Sequence, residues 1–352
     1  MKTSKNVGQD EIVVRVSSGQ TQLKSLLARQ TPGFSCSWNG LKFVINQPVD
    51  RCDWWVVCHS SGLPRQEEVL CDPAHTVFIS MEPPDWGCPR SFYNQFSYLI
   101  SCDRSARHKN QIFRNGLTWW VGLKVKFEIG HQFSPVCSFN YDSLLALEPQ
   151  EKKNKISVIT SAGKHFPGHK KRLRFLERLS AHEISNHIDF FGGYHNPVED
   201  KMDALGGYRY HLALENSVVP DYWTEKLADP LLAWCLPIYY GCPNIGSYFP
   251  RGSLVSIDID NFDQTVRSLW ELLETDRHEK SIGLIKVARE MVLNQYNIFQ
   301  LISEVCSAPA VRHEGCIVRP ISHFAQLDSR LDRRLIRKTR SVLGKLVRGL
   351  SS

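Results

Sequence analysis

From Ile156 to Cys306 short apolar runs alternate with segments of helical period, and this alternation restricts the fold more than any other feature of the chain. ISVITSAG (156–163), IDFFGG (188–193), YRYHLALEN (208–216), LPIYYG (236–241) and LVSIDID (254–260) read as strands ending in turn chemistry. Between the first two, KKRLRFLERLSAHE (170–183) carries Leu173, Leu176 and Leu179 at helical spacing. A helix is expected to open at Thr224-Glu225-Lys226 and run to 235, and further helices are expected near 261–274 and 280–306. Such alternation predicts a Rossmann-like domain. Pro230 conflicts with it locally: it removes one helical hydrogen bond and is expected to kink or split its helix.

The first half shows the same plan less clearly. DWWVVCHSSG (53–62), HTVFISMEPP (75–84) and FSYLISCD (96–103) read as buried strands of a largely parallel sheet. Ligands of open α/β sheets gather beyond the carboxyl ends of strands, which puts Glu82, Asp85 and Asp103 where chemistry is expected. EPQEKKNKIS (148–157) is the sharpest composition shift and reads as an interdomain linker. The expected division is residues 1–150, residues 151–325 and a tail, 326–352.

Charge is concentrated in that tail. Between Asp328 and Ser352 eight Lys and Arg face two Asp, so six of the chain's net +7 lie there. The remainder is near neutral, which excludes an electrostatic footprint for nucleic acid. Leu327, Leu331, Leu335, Leu343, Leu346 and Leu350 fall mostly three and four apart, an amphipathic helix pattern suited to an anionic membrane surface or a protein partner. Hydrophobic residues at 42% exclude a mainly disordered chain. The 11 cysteines are odd in number and lack C-x-x-C, so buried free thiols in a reducing compartment are expected. MKTSKNVGQDEIVVRV has no apolar h-region, and neither a signal peptide nor a membrane span is expected. The expected location is cytoplasmic, peripheral at the inner face of the membrane.

Chemistry is densest in YRYHLALENSVVPDYWTEKLADPLLAWCLPIYYG, residues 208–241. A strand delivers Glu215-Asn216-Ser217 to a loop that passes Asp221-Tyr222 and enters the helix at Thr224. Free N–H groups at a helix start suit phosphate, Lys226 adds a cation, and Glu225 suits ribose hydroxyls; a capped helix with a solvated Glu-Lys pair is the plain alternative. This run resembles the donor-binding signature of the α-1,3-fucosyltransferases of glycosyltransferase family 10, Y-[KR]-F-x-L-x-F-E-N-S…Y-x-T-E-K…P-[IV]-Y-[YW]-G. MEPPDW (81–86), FYNQFSYLISCD (92–103) and TWWVG (118–122) resemble bacterial members, so the likeness covers roughly 50–300. Leu214, where Phe is usual, and Pro230 depart from the pattern.

The resemblance implies an α/β fold of GT-B type, two Rossmann-like domains facing a cleft, acceptor domain first and GDP-fucose domain second. It implies that Asn216, Tyr222, Glu225 and Lys226 bind the donor, with Arg172 on its phosphates and Lys171 and Arg174 as competitors. An inverting transfer needs a base for the acceptor hydroxyl and cations for charge developing on the diphosphate. Glu82 resembles the family's E-P-P carboxylate and is the expected base, with Asp85 and Asp103 next; a plain turn residue before Pro83-Pro84 is the alternative. Asp258-Ile-Asp260 matches a metal-binding D-x-D but leads into a helix cap, so no metal site and no cofactor are expected. His165 and His169 flank Pro167-Gly168, which excludes helical zinc geometry. His108 reads as a loop residue, and Trp86, Trp119 and Trp120 as packing residues before sugar-stacking ones. The expected activity is transfer of fucose from GDP-fucose to a glycan hydroxyl (α-1,3/4). The alternatives are another GDP-sugar, or a non-catalytic glycan- or membrane-binding protein of the same fold.

Overall fold

The computed structural model describes residues 11–19, 22–58, 66–127, 133–160, 167–193, 196–306 and 321–322. They form two compact units. Described residues 11–19, 43–58, 66–112 and 321–322 belong to the first, and the remainder, including 22–42, to the second.

The first unit is built on strands β1 (Ile12–Ser17), β2 (Leu41–Ile45, its last three residues in this unit), β3 (Trp54–Cys58), β4 (Thr76–Ile79), β5 (Tyr98–Ile100) and β6 (Gln111–Ile112), running in the order β2-β1-β3-β4-β5-β6. From β1 through β3, β4 and β5 to β6 each neighbouring pair is parallel. Every residue of β3 and β4 is buried, as continuous apolar runs in a two-sided sheet require. The core on one face is aromatic and thiol-rich: Trp55, Phe78, Phe92, Tyr93 and Phe96 with Cys52 and Cys71.

In the second unit β7 (Lys153–Ile159), β8 (Ile188–Phe191), β9 (Tyr208–Leu214), β10 (Leu236–Tyr240) and β11 (Val255–Ser256) form an all-parallel sheet, order β8-β7-β9-β10-β11. The principal helices are α1 (Pro167–Ser180), α2 (Lys201–Leu205), α3 (Glu225–Leu232), α4 (Phe262–Glu274), α5 (Arg277–Glu290) and α6 (Ile298–Cys306). Asp200, Thr224 and Asn261 cap α2, α3 and α4 through their side chains. Strand order reverses between β7 and β9, so the ligand crevice of this sheet lies at their carboxyl ends.

Several expectations change. Residues 148–157 are not a linker: the last five begin β7, and Lys152 is buried, its Nζ donating to the carbonyls of Gly206 (2.5 Å), Ala233 (2.9 Å) and Leu205 (3.4 Å). A lysine placed in the expected linker instead gathers carbonyls where α2 and α3 end. Nor do the two units divide at 150. Leu117, Trp119, Val121, Tyr141 and Leu144 pack in one core with β7, β9 and β10. Fully buried Arg29 donates to the carbonyls of Val121 (3.1 Å), Phe139 (2.8 Å) and Trp119, which ties residues 22–42 to this core. The 254–260 strand shrinks to β11. Pro230 neither splits nor ends α3 at once; the helix continues through it and stops at Leu232, short of 235.

The ten described cysteines are free thiols. No helix among the described residues is long and apolar enough to cross a membrane. The tail 326–352 with its expected helix, His165 and the side chain of Trp86 lie outside the described residues.

Candidate functional site

A cavity of about 220 Å³ opens in the second unit where the strand order reverses. Ile159 at the end of β7, Arg172 of α1, Asn216 after β9, and Glu225 and Lys226 of α3 line it. Four of the residues singled out in the sequence are therefore together. Tyr222 does not line the cavity; it is buried, after Asp221 in the left-handed region (φ 69°). That turn is held by Asn244, which accepts from the Asp221 N–H (2.8 Å) and donates to its carboxylate (2.7 Å), and by the Tyr248 hydroxyl (2.9 Å).

Arg172 is buried on α1 and donates Nη1 to Asn216 Oδ1 at 2.6 Å, so the two candidate donor contacts hold each other. Burial pulls its guanidinium pKa down, and Glu215 and Glu225 oppose that. Lys171 points elsewhere, bonding the Tyr240 hydroxyl at 2.8 Å and Asp260 at 2.5 Å. Arg174 is exposed and donates to the Lys170 carbonyl at 3.4 Å within its own helix. Helix α1 approaches the β9 loop closely enough that a Cβ on Gly168 would lie 1.8 Å from the Asn216 carbonyl oxygen. Only glycine fits there.

Glu215, just past β9, is buried against the start of α3. Its carboxylate accepts from the Thr224 N–H (2.8 Å) and hydroxyl (2.9 Å), which fixes the start of α3 against the sheet. Burial pushes this carboxyl up. Lys226 Nζ lies 3.4 Å from Glu225 and 3.6 Å from Glu215. Burial would lower its pKa, but the two carboxylates outweigh that and raise it. Lys201 and Asp229 also line the cavity, 2.7 Å apart, with Lys201 3.6 Å from Glu225. Among the described residues three cations, Arg172, Lys201 and Lys226, thus interleave with three carboxylates, Glu215, Glu225 and Asp229. His211 on β9 also lines the cavity; its Nδ1 meets the Ser157 hydroxyl at 2.8 Å, and burial drives its pKa to about 3, a neutral ring.

Lys201, Asp229 and His211 were missed in the sequence. One signal was available: Lys201 is the first residue of a helix capped by Asp200, where the helix dipole disfavours a cation. His211 and Asp229 read as an ordinary strand and helix residue.

The other candidates are in the first unit or have structural ties. Glu82 lies half-buried just past β4, where its backbone meets the Ser80 hydroxyl at 3.1 and 3.4 Å. Asp85 belongs to a single turn, Pro84–Trp86. Asp103 is buried and accepts from the Ser105 N–H (2.8 Å) and hydroxyl (2.6 Å). Both His108 ring nitrogens serve local backbone, at Phe96 and Asn110. Trp119 is core, and Trp120 lends its N–H to Asp229 at 3.0 Å. His169 sits in the first turn of α1.

The architecture is that of the GT-B glycosyltransferases: it aligns with a crystal structure of an alpha1,3-fucosyltransferase at TM-score 0.51 over 90% of this chain and 96% of that one, at 15% identity. Residues 149–282, which include every residue lining the cavity just described, match the model described as "Glycosyltransferase family 10 (fucosyltransferase) C-term". A 4-galactosyl-N-acetylglucosaminide 3-alpha-L-fucosyltransferase of Pongo pygmaeus is 32% identical over 109 residues, 30% of each chain. A putative fucosyltransferase-like protein of Arabidopsis thaliana is 32% identical over 119 residues, 33% of this chain and 23% of that protein. The matches span less than a third of the curated relatives' length.

Proposed function

We propose that the chain is an inverting fucosyltransferase that moves fucose from GDP-fucose to a hydroxyl of a glycan acceptor. The observation that carries this reading is the cavity at the strand-order reversal, where Arg172, Asn216, Glu225 and Lys226 stand together on a family 10 domain. Arg172 and Lys226 would take the charge that develops on the departing diphosphate. Lys226 stands in the first turn of α3, whose N–H groups and dipole favour the same anion. Glu225, acceptor-only when ionised, suits the ribose hydroxyls.

Glu82 is the proposed base. The acceptor oxygen gives its proton to this carboxylate as it attacks the anomeric carbon; the bond from that carbon to the diphosphate breaks, and GDP leaves with the electron pair. A single displacement of this kind inverts the centre. The relatives' printed activity makes galactosyl-N-acetylglucosaminide glycans the first acceptors to try, for α-1,3 or α-1,4 linkage. Transfer from labelled GDP-fucose to a panel of such glycans, with GDP-mannose as competitor donor, tests the reading. Transfer from GDP-mannose alone would replace the sugar, and no GDP binding by calorimetry would favour a non-catalytic binding protein.

No obligatory metal is proposed, because the charge falls to Arg172 and Lys226 while Asp260 of the D-x-D is ion-paired to Lys171. Activity in excess EDTA should stay within about threefold, ~0.7 kcal/mol of barrier; loss restored by manganese would reverse this. The tail is proposed to hold the protein at an anionic, cytoplasmic membrane face, at ~1 kcal/mol per basic residue near the surface. Equal pelleting of full-length and 1–325 protein with anionic vesicles would sink that part.

A further inference from the structure

Lys201 occupies a position that is unfavourable unless something compensates it. It opens α2, whose cap Asp200 is fixed by the N–H groups of Met202 (2.9 Å) and Gly122 (2.8 Å), so the helix start cannot drift. A cation there is opposed by the helix dipole. Compensation comes from α3, where Lys201 Nζ meets Asp229 Oδ2 at 2.7 Å and Glu225 Oε1 at 3.6 Å. Both Asp229 oxygens are engaged, one by Lys201 and the other by the Trp120 N–H, and its side chain is 1% exposed. Asp229 is thus a fixed anchor. Glu225, 23% exposed, is the most accessible acid of the cluster, against 1% for Asp229 and 0% for Glu215.

We propose that Lys201 is a positioning residue of the donor site: anchored on Asp229, it keeps the Glu225 carboxylate ionised and turned to the cavity, ready to accept the hydroxyls of a nucleotide ribose. This rests on the donor-site reading above. The charged and titratable groups that face Glu225 are Lys226 and Asp229 on its own helix, Lys201 on α2, Arg172 on α1, and Glu215 and His211 at β9. Burial pushes the Glu225 carboxyl up, but Lys226, then Lys201, then the Thr224 hydrogen bond outweigh it and hold it down at about 2. Lys226 is divided between Glu225 and Glu215, 3.4 and 3.6 Å away, so it does not hold Glu225 alone. Protonation would convert one acceptor oxygen to a donor and weaken its match to a diol.

The test uses the full chain, labelled at the glutamate carboxyl carbons, with the Glu225 signal identified by its loss in Glu225→Gln. The carboxyl shift is followed without nucleotide from about pH 8 to about pH 4.5, and GDP affinity is measured by calorimetry over the same range. In wild type and Lys201→Arg, Glu225 stays ionised throughout. In Lys201→Met it titrates within the range. The ratio of wild-type to variant GDP affinity, in which the titration of GDP itself cancels, is near one at pH 8 and grows as pH falls, up to about tenfold per pH unit below the carboxyl midpoint. A Glu225 that stays ionised in Lys201→Met overturns the proposal. So does an affinity ratio that is large and equal at every pH, which makes Lys201 a direct ligand of the diphosphate. If Lys201→Met does not give a cooperative thermal melt, Lys201→Gln, which still donates to Asp229, is read the same way. Wild type that fails to bind GDP overturns the donor-site reading instead, and the carboxyl titration then judges the link from Lys201 to Glu225 on its own.

Discussion

The two units share a parallel-sheet plan and fill it with opposite chemistry. In the first, Phe78 lies 5.1 to 5.7 Å from Phe92, Phe96 and Tyr93, and the core side chains around them are aromatic, aliphatic or thiol. In the second, Arg29, Lys152, Arg172, His211, Glu215, Asp229 and Arg289 are all buried. Aromatic packing tolerates exchange among apolar residues of similar volume. A buried ion does not, because removing its partner leaves an uncompensated charge costing several kcal/mol. The second unit is therefore the one whose packing depends on particular charged partners, while the first offers a carboxylate, Glu82, just past a strand end.

The strongest way to break this comparison is Glu82→Gln. Under the proposed division of labour it lowers fucose transfer by roughly 10²- to 10⁴-fold, the usual span for loss of a general base, and leaves GDP affinity unchanged. A variant keeping more than a tenth of wild-type transfer moves the base elsewhere, with Asp85 tried next. Asp103 comes after it, because Ser105 already occupies one of its oxygens.

Lys226→Ala probes the other side. It removes a charge-assisted contact worth ~1.5–3 kcal/mol, so GDP binding weakens by roughly 10- to 150-fold. It also leaves buried Glu215 without its nearest cation. Unchanged GDP affinity by calorimetry would detach Lys226 from the nucleotide.

Gly168→Ala sharpens the comparison without touching a charge. Its Cβ would strike the Asn216 carbonyl, so α1 must move away from β9 and carry Arg172 with it. Overpacking of this kind costs ~1–3 kcal/mol. The variant should melt lower and bind GDP more weakly; an unchanged melt would show that the two backbones are not in close approach.

A further difference appears in acid. Burial holds His211 at about 3 in the folded chain, whereas an unfolded histidine titrates near ~6.5. Between these values the unfolded state binds a proton that the folded state refuses. His211 therefore lowers stability as pH falls from about 6.5 towards about 3, by up to ~1.4 kcal/mol per unit. Its share is about 2 kcal/mol at pH 5. His211→Gln should flatten the fall of urea stability between pH 7 and pH 5, and an equal slope in both proteins would place the acid sensitivity in other groups.

Sequence alone determined the types of β7 to β10 and of α1, α3 and α4, because their apolar runs, helical spacing or caps are local; α2 and the break of 280–306 into two helices were not legible in it. It also brought Asn216, Glu225 and Lys226 together, since a strand end, a loop and a helix start so close in the chain must converge; Arg172, 44 residues before Asn216, joined them only through the resemblance to the fucosyltransferase signature. Tertiary structure decided the rest. Whether Lys152 is a solvated linker residue or a buried cap depends on carbonyls of Leu205, Gly206 and Ala233, more than 50 residues away in the chain. That residues 22–42 join the second unit depends on the side chains of Arg29 and Gln30 reaching the backbone of 117, 119, 121 and 139. Lys201 enters the site only because α2 begins beside Asp229 and Glu225 of α3. Local sequence encodes period and capping, which act over a turn; a buried charge is satisfied by whichever distant group the fold brings within hydrogen-bond reach.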